Sequence, residues 1–208
     1  MSDAMKRICV FCGANTGRDP VFAVAAEHFG RSLAARGYDL IYGGGSVGLM
    51  GVVARAVLDG GRRVSGVIPR ALTTRELAGE NIGELIIVDT MAERKERMLT
   101  LSDAFVALPG GLGTMDELFE SLTWGQLGIQ SKPIGLLNVD GYFDGLLAWL
   151  ERALGEGFVR PHHRNLLVTA GDPGVLLDLV EEHRPPVGLV TWESVDAMPT
   201  DLAGMERE

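Results

Sequence analysis

The stretch that decides the fold is AFVALPGGLGTMDE, residues 104–117. It opens with five apolar residues, which is the pattern of a buried strand in a parallel sheet. A glycine-rich turn follows, and Leu118, Phe119 and Leu122 then recur at helical spacing. Such a turn leaves backbone N–H groups free at the start of the helix, where the helix dipole also favours an anion. The stretch therefore predicts a phosphate-binding loop that is followed, about one helical turn on, by a carboxylate, Glu117.

The remainder of the chain alternates between strand and helix patterns in the same way. Strands are predicted at 7–11, 38–42, 63–68, 85–88, 104–108 and 134–137, and helices at 20–36, 49–58, 91–101, 117–127, 142–154 and 175–182. This alternation predicts an α/β fold: a Rossmann-like, doubly wound parallel sheet with helices on both faces. We expect a single nucleotide-binding domain over residues 1–183 and an irregular C-terminal extension over residues 184–208, which contains Pro185-Pro186.

Composition excludes several classes of protein. The 208 residues carry a net charge of −9, so the chain lacks the basic character typical of nucleic-acid binding. No apolar run approaches the roughly 20 residues of a membrane helix, and the polar start, Met1 to Lys6, does not resemble a signal peptide. Two cysteines without a disulfide framework are typical of a cytoplasmic protein. We expect no partner that is a nucleic acid or a membrane.

A second glycine-rich loop, GGGSVG at residues 43–48, matches the spacing of a dinucleotide-binding fingerprint. That fingerprint requires an acidic residue at the end of the next strand to hold a ribose hydroxyl. The next strand ends in Val67-Ile68-Pro69-Arg70 and has no acid, which argues against an NAD-dependent oxidoreductase. The loop is either a tight turn or, as we prefer, one wall of a mononucleotide pocket that includes Gly44, Gly45 and Ser46.

Two charged positions have both a structural and a functional interpretation. Thr114 and Glu117 have the spacing of a capping box, in which the glutamate would only bond back to the start of its own helix. The alternative is that Glu117 faces the pocket.

Glu93 and Arg97 have the spacing of a surface ion pair, but the run from Met91 to Met98 follows a strand. Arg94 and Lys95 would then start at the carboxyl edge of the sheet, within reach of a phosphate or sugar.

The remaining motifs are weak. Cys9 and Cys12 are expected on and just beyond a strand, where three residues span about 10 Å, too far for a disulfide. His162-His163 has no ligand spacing around it, so we expect no metal site and no cofactor.

Taken together, the motifs resemble the Lonely Guy (LOG) family of cytokinin riboside 5′-monophosphate phosphoribohydrolases. The similarity runs from about Arg7 to Val180, and the combination of Glu93-Arg94-Lys95 with the PGGxGTxxE element is its most specific part. Ala92 stands where the family often carries a histidine, a departure that bears on substrate preference. The further matching segments are GGG at 43–45, GLMG at 48–51, CGA at 12–14 and LNVDGY at 137–142.

The resemblance implies a homodimer with active sites at the subunit interface. It implies hydrolysis of the N-glycosidic bond of AMP or an N6-modified AMP, with release of the base and ribose 5-phosphate. Arg94 and Glu117 match the family's catalytic residues. The substrate-contacting positions that match are Glu80, Lys95, Gly110, Gly111, Leu112, Gly113, Thr114 and Thr123. The alternative function is that of a nucleotide or cofactor carrier on the same fold, which would bind without hydrolysis and would not need Glu117.

Overall fold

The computed structural model of the protein describes residues 6–73 and 82–186. Within these residues, seven parallel strands form one sheet in the order β4-β3-β2-β1-β5-β6-β7. The predicted doubly wound parallel sheet is confirmed. The strands are β1 (Arg7–Phe11), β2 (Asp39–Tyr42), β3 (Val64–Pro69), β4 (Glu84–Val88), β5 (Ala104–Ala107), β6 (Ile134–Leu137) and β7 (Leu167–Ala170).

Six α-helices lie within the described residues, and they cover both faces of the sheet. α1, α2 and α6 pack on one apolar face, and α3, α4 and α5 are associated with the other. The strands serve both layers because their side chains alternate: Ile8 and Val10 belong to the first cluster, Cys9 and Phe11 to the second. The helices are α1 (Pro20–Ala35), α2 (Gly48–Asp59), α3 (Met91–Leu101), α4 (Leu112–Gln126), α5 (Asp144–Gly155) and α6 (Pro173–Glu182).

Most of the predicted elements are present within a few residues of their expected bounds, and three differences stand out. β7 was not predicted, because it is a four-residue strand whose side chains are only partly buried. Short 3-10 turns at Val139–Gly141 and Pro161–Leu166 were also missed. The largest difference is in α4, which begins at Leu112, five residues before the predicted start at Glu117.

The order of the strands places the site. The chain runs from β1 outwards to β4 on one side and from β5 outwards to β7 on the other, so the direction of winding reverses between β1 and β5. In such sheets the loops at the carboxyl ends separate at this point and leave a crevice for a ligand. Here the loops after β1 and β5 are joined at their starts, because the Gly13 N–H donates to the Pro109 carbonyl at 3.0 Å.

No helix within the described residues is long and apolar enough to cross a lipid bilayer. The proposed boundary at residue 183 stays a prediction, and most of the 184–208 segment lies outside the described residues.

Candidate active site

A cleft of about 500 Å³ opens at the carboxyl edge, where β1 and β5 diverge. This volume is within the range of small-molecule sites. One wall is the loop after β5 with the start of α4, and the opposite wall comes from the loop after β1 and the start of α2. Its lining includes Cys12, Phe22, Met50, Arg94, Glu117 and Tyr142.

Glu117 and Arg94 form a buried ion pair in this cleft. Arg94 Nη1 lies 2.7 Å from Glu117 Oε1, and the two residues are 9% and 8% exposed. Arg94 Nε donates to the Val67 carbonyl at 3.0 Å, which fixes the guanidinium against the end of β3. Burial raises the pKa of the Glu117 carboxyl, and the adjacent Arg94 guanidinium opposes that rise. Each of the two buried charges is therefore compensated by the other.

The capping-box interpretation of Glu117 is wrong. Gly111 is the N-cap of α4, with no side-chain cap bond, so Thr114 lies inside the first turn and Glu117 lies in the second. Glu117 instead accepts its hydrogen bond from Arg94, on a helix 23 residues away in the sequence. The helix starts early because Gly111 adopts the extended N-cap conformation and Leu112 and Gly113 are accommodated in the first turn.

The charged run in α3 also differs from a surface ion pair. Thr90 is the N-cap, and its hydroxyl accepts from the Glu93 N–H at 3.1 Å. Glu93 Oε2 accepts from the Asp89 N–H at 2.9 Å, so this carboxylate stabilises the helix start. Arg94, the next residue, is buried towards the sheet.

The two glycine-rich loops differ in their capacity to bind an anion. At α2, the N–H groups of Leu49 and Met50 donate to the Gly13 carbonyl at 3.0 and 3.3 Å. At α4, the N–H groups from Leu112 to Thr114 have no acceptor among the described residues. Since unpaired first-turn N–H groups are what bind a phosphate, the start of α4 is the candidate anion site and the start of α2 is not.

The loop at 43–48 nevertheless serves the site through its first glycine. A Cβ on Gly43 would overlap Arg94 Nη2 and lie 3.1 Å from Met50 Sδ. Gly43 is therefore the residue that leaves room for the guanidinium between the end of β2 and α2. A Cβ on Gly44 would meet Ile68, and a Cβ on Gly45 would meet Met50.

We expect Gly43→Ala to lower kcat by about one to two orders of magnitude, because the added methyl displaces Arg94 from Glu117. Gly145→Ala is the matched control, since a Cβ at Gly145 meets no atom within 4 Å. Steady-state rates and thermal unfolding of both variants test this. If Gly43→Ala keeps wild-type kcat, the guanidinium does not need its present position.

The other predicted site residues are distributed as follows. Gly110 to Thr114 line the cleft. Lys95 bonds instead to Asp116 and Glu120 on α4, at 3.3 and 3.0 Å. Glu80 lies outside the described residues. Five of the predicted residues lie outside this cleft: Lys95, Gly44, Gly45, Ser46 and Thr123. Thr123 is on an exposed face of α4, and Ser46 lines a groove between α1 and α2. Their contact with substrate stays a prediction.

Sequence reasoning missed several residues of the cleft. Phe22 lies on a helix whose apolar pattern is that of ordinary core residues, so nothing in the sequence separates it from the core, and Met50 appeared only within the matching segment at 48–51. Tyr142 appeared only as part of a matching segment, although it contacts the loop directly.

The fold is shared with two solved structures. They are the molybdenum cofactor binding protein from Rippkaea orientalis (TM-score 0.63, 22% identity, covering 86% of this chain and 98% of that one) and the molybdenum cofactor carrier protein of Chlamydomonas reinhardtii (TM-score 0.63, 20% identity, 86% and 98%). At this identity the likeness shows the fold alone.

Sequence relatives are much closer. A family model described as possible lysine decarboxylase matches residues 50–192. The chain is 50% identical to cytokinin riboside 5′-monophosphate phosphoribohydrolase LOG7 of Arabidopsis thaliana over 195 residues, which cover 92% of this chain and 90% of the plant protein. It is 53% identical to the probable cytokinin riboside 5′-monophosphate phosphoribohydrolase LOGL5 of Oryza sativa subsp. japonica over 193 residues, covering 90% and 78%. With identity of this extent over nearly its whole length, the chain belongs to the Lonely Guy family of cytokinin riboside 5′-monophosphate phosphoribohydrolases.

Proposed function

We propose that this protein hydrolyses the N-glycosidic bond of adenosine 5′-monophosphate or an N6-modified form of it. The products are the free base and ribose 5-phosphate. The observation that carries the proposal is the buried Arg94–Glu117 pair, which lies in the same cleft as the unpaired N–H groups of α4. A carrier protein needs the N–H groups but has no use for a buried carboxylate held by a guanidinium.

The cleft supports a division of roles along the nucleotide. The 5′-phosphate binds the N–H groups at the start of α4, where the helix dipole favours it. The ribose then lies over Glu117, in the second turn of the same helix. Binding energy from the phosphate, which does not react, is used to hold C1′ near the carboxylate. The base extends away from α4.

Glu117 acts on the reacting carbon. As the bond between C1′ and the base nitrogen breaks, its electron pair leaves with the base and positive charge develops on the sugar. The Glu117 carboxylate stabilises this charge and accepts a proton from the water that adds to C1′, while the departing base takes up a proton. Burial raises the pKa of Glu117, which makes its carboxylate a better proton acceptor. Arg94 keeps the carboxylate ionised and oriented.

The experiment is a product assay. The purified protein is incubated separately with AMP and with N6-isopentenyl-AMP, and free base and ribose 5-phosphate are measured by chromatography. We expect equal amounts of the two products from at least one nucleotide. Binding of both nucleotides without release of base would favour the carrier function and overturn the proposal.

We further propose that the protein acts in the cytoplasm as a homodimer in which α4 of one subunit completes the site of the other. Thr123 and Leu112 line a shallow groove on the outer face of α4, and Leu112 is 91% exposed. Met115, Phe119 and Trp124 line the same groove, and a contiguous apolar patch on a surface is typical of an interface. Cys9 and Cys12 are buried free thiols, as suits a reducing compartment.

Mixed dimers test whether the site is shared. Glu117→Gln and Thr123→Ala each lower activity in this arrangement, but a dimer of one with the other retains one complete site. We therefore expect the co-refolded mixture to exceed the summed activity of the separate variants. If it gives only that sum, Thr123 does not act on the partner's site.

A further inference from the structure

Tyr142 contacts the phosphate loop from outside the helix that carries it. Its phenol donates a hydrogen bond to the Gly110 carbonyl at 2.6 Å, and its ring lines the cleft. The residue follows β6, so this bond joins the loop after β5 to the loop after its neighbour in the sheet. Although Tyr142 is partly exposed, its position is closely determined.

The backbone around Tyr142 is the first reason for this. Asn138 Oδ1 accepts from the Phe143 N–H at 2.8 Å, and Asn138 Nδ2 donates to Asp144 Oδ1 at 2.7 Å. Between them, Asp140 has φ 49° and ψ 35°, the only left-handed conformation of a non-glycine among the described residues. A conformation of this kind persists where surrounding bonds impose it.

The packing of the ring is the second reason. Phe22 meets the Tyr142 ring edge-on, with centroids 5.5 Å apart at 76°. Phe143 does the same at 4.9 Å and 86°. These are favourable aromatic geometries, and they leave the phenol oxygen directed at Gly110.

We propose that Tyr142 is a positioning residue for phosphate binding: its hydroxyl fixes the plane of the peptide between Gly110 and Gly111. Because a trans peptide holds C=O and N–H in one plane and in opposite directions, fixing the Gly110 carbonyl also fixes the direction of the Gly111 N–H. Gly111 is the N-cap of α4, and its N–H, like those of Leu112 to Thr114, has no acceptor among the described residues, so it can join them in binding an anion. Glycine backbone on both sides would otherwise allow this peptide to rotate.

The inference rests on the proposed function, since it concerns the phosphate of the same nucleotide. The test variant is Tyr142→Phe, which keeps the ring and its packing. We expect KM to rise about fivefold, the effect of losing one ordinary hydrogen bond, while kcat stays within about twofold of wild type. Ribose 5-phosphate should bind more weakly by the same factor, because it shares the phosphate. Tyr38→Phe is the matched control, since Tyr38 precedes β2 and therefore lies at the amino ends of the strands, away from the cleft at their carboxyl ends.

Two readouts keep this test separate from that of the activity. Calorimetric titration with ribose 5-phosphate measures the phosphate site even if no base is released, and thermal unfolding shows whether the variant is folded. Unchanged affinity of Tyr142→Phe for ribose 5-phosphate overturns the inference. So does a fall in kcat with no change in KM, which would place the phenol at the reacting atoms instead.

Discussion

We expect Glu117→Gln to lower kcat by about three orders of magnitude while nucleotide binding changes little. Glutamine keeps the size of the side chain, and its amide oxygen still accepts from Arg94 Nη1, so the buried contact survives. What it loses is the negative charge that faces the developing cation and the ability to take a proton from water. Steady-state rates at saturating AMP give kcat, and calorimetric titration of the variant with AMP gives its affinity separately.

The control for this variant is Glu181→Gln. Glu181 Oε1 also pairs with a guanidinium, Arg36 Nη1 at 2.9 Å, but on α6 and well away from the cleft. The control variant therefore also removes the negative charge from an arginine–glutamate pair, but it leaves the cleft unchanged. A Glu117→Gln enzyme with near-normal turnover would mean that Glu117 serves only to bury Arg94.

The second large effect concerns the substrate. We expect kcat/KM for adenosine to fall about 10³-fold or more below that for AMP, because the nucleoside lacks the group that α4 binds. The loss should affect kcat as well as KM, since the phosphate holds C1′ over Glu117.

The matched control is 3′-AMP, which has the same charge and composition as AMP but carries its phosphate on the 3′ oxygen instead of the 5′ oxygen. Its rate should resemble that of adenosine. Comparable kcat/KM values for adenosine and AMP would show that the N–H groups from Leu112 to Thr114 do not anchor the substrate.

The fold could be predicted from the sequence because the periodicity of apolar residues and the positions of the glycine-rich turns agree along the chain. Apolar runs between glycine-rich turns identify strands that are buried on both faces, and the order of strands and helices then determines the class of sheet. β7 was not predicted because its side chains are only partly buried, which weakens the apolar pattern that identifies a strand. The start of α4 was misplaced because Gly113 lies inside its first turn, and glycine normally marks a loop.

The site was harder to predict than the fold. Glu117 and Arg94 were both named as candidates, but whether Glu117 caps its helix or faces the pocket depended on where α4 begins, which local sequence does not determine. Their catalytic role stays a prediction. The role of Gly43 was inaccessible, because its neighbour Arg94 lies 51 residues further along the chain. The same is true of Tyr142 and Gly110, which are 32 residues apart. Contacts of this kind depend on strand order, and strand order is not encoded in any single motif.

The bond from Arg94 to the Val67 carbonyl has a consequence for which part of the molecule supports the ion pair. It joins the guanidinium to β3, while Glu117 is supplied by the helix after β5, and these strands stand on opposite sides of β1. The distance between the two charged groups is therefore set by the spacing of four neighbouring strands, β3, β2, β1 and β5, and not by any single loop. The ion pair is a property of the entire centre of the sheet.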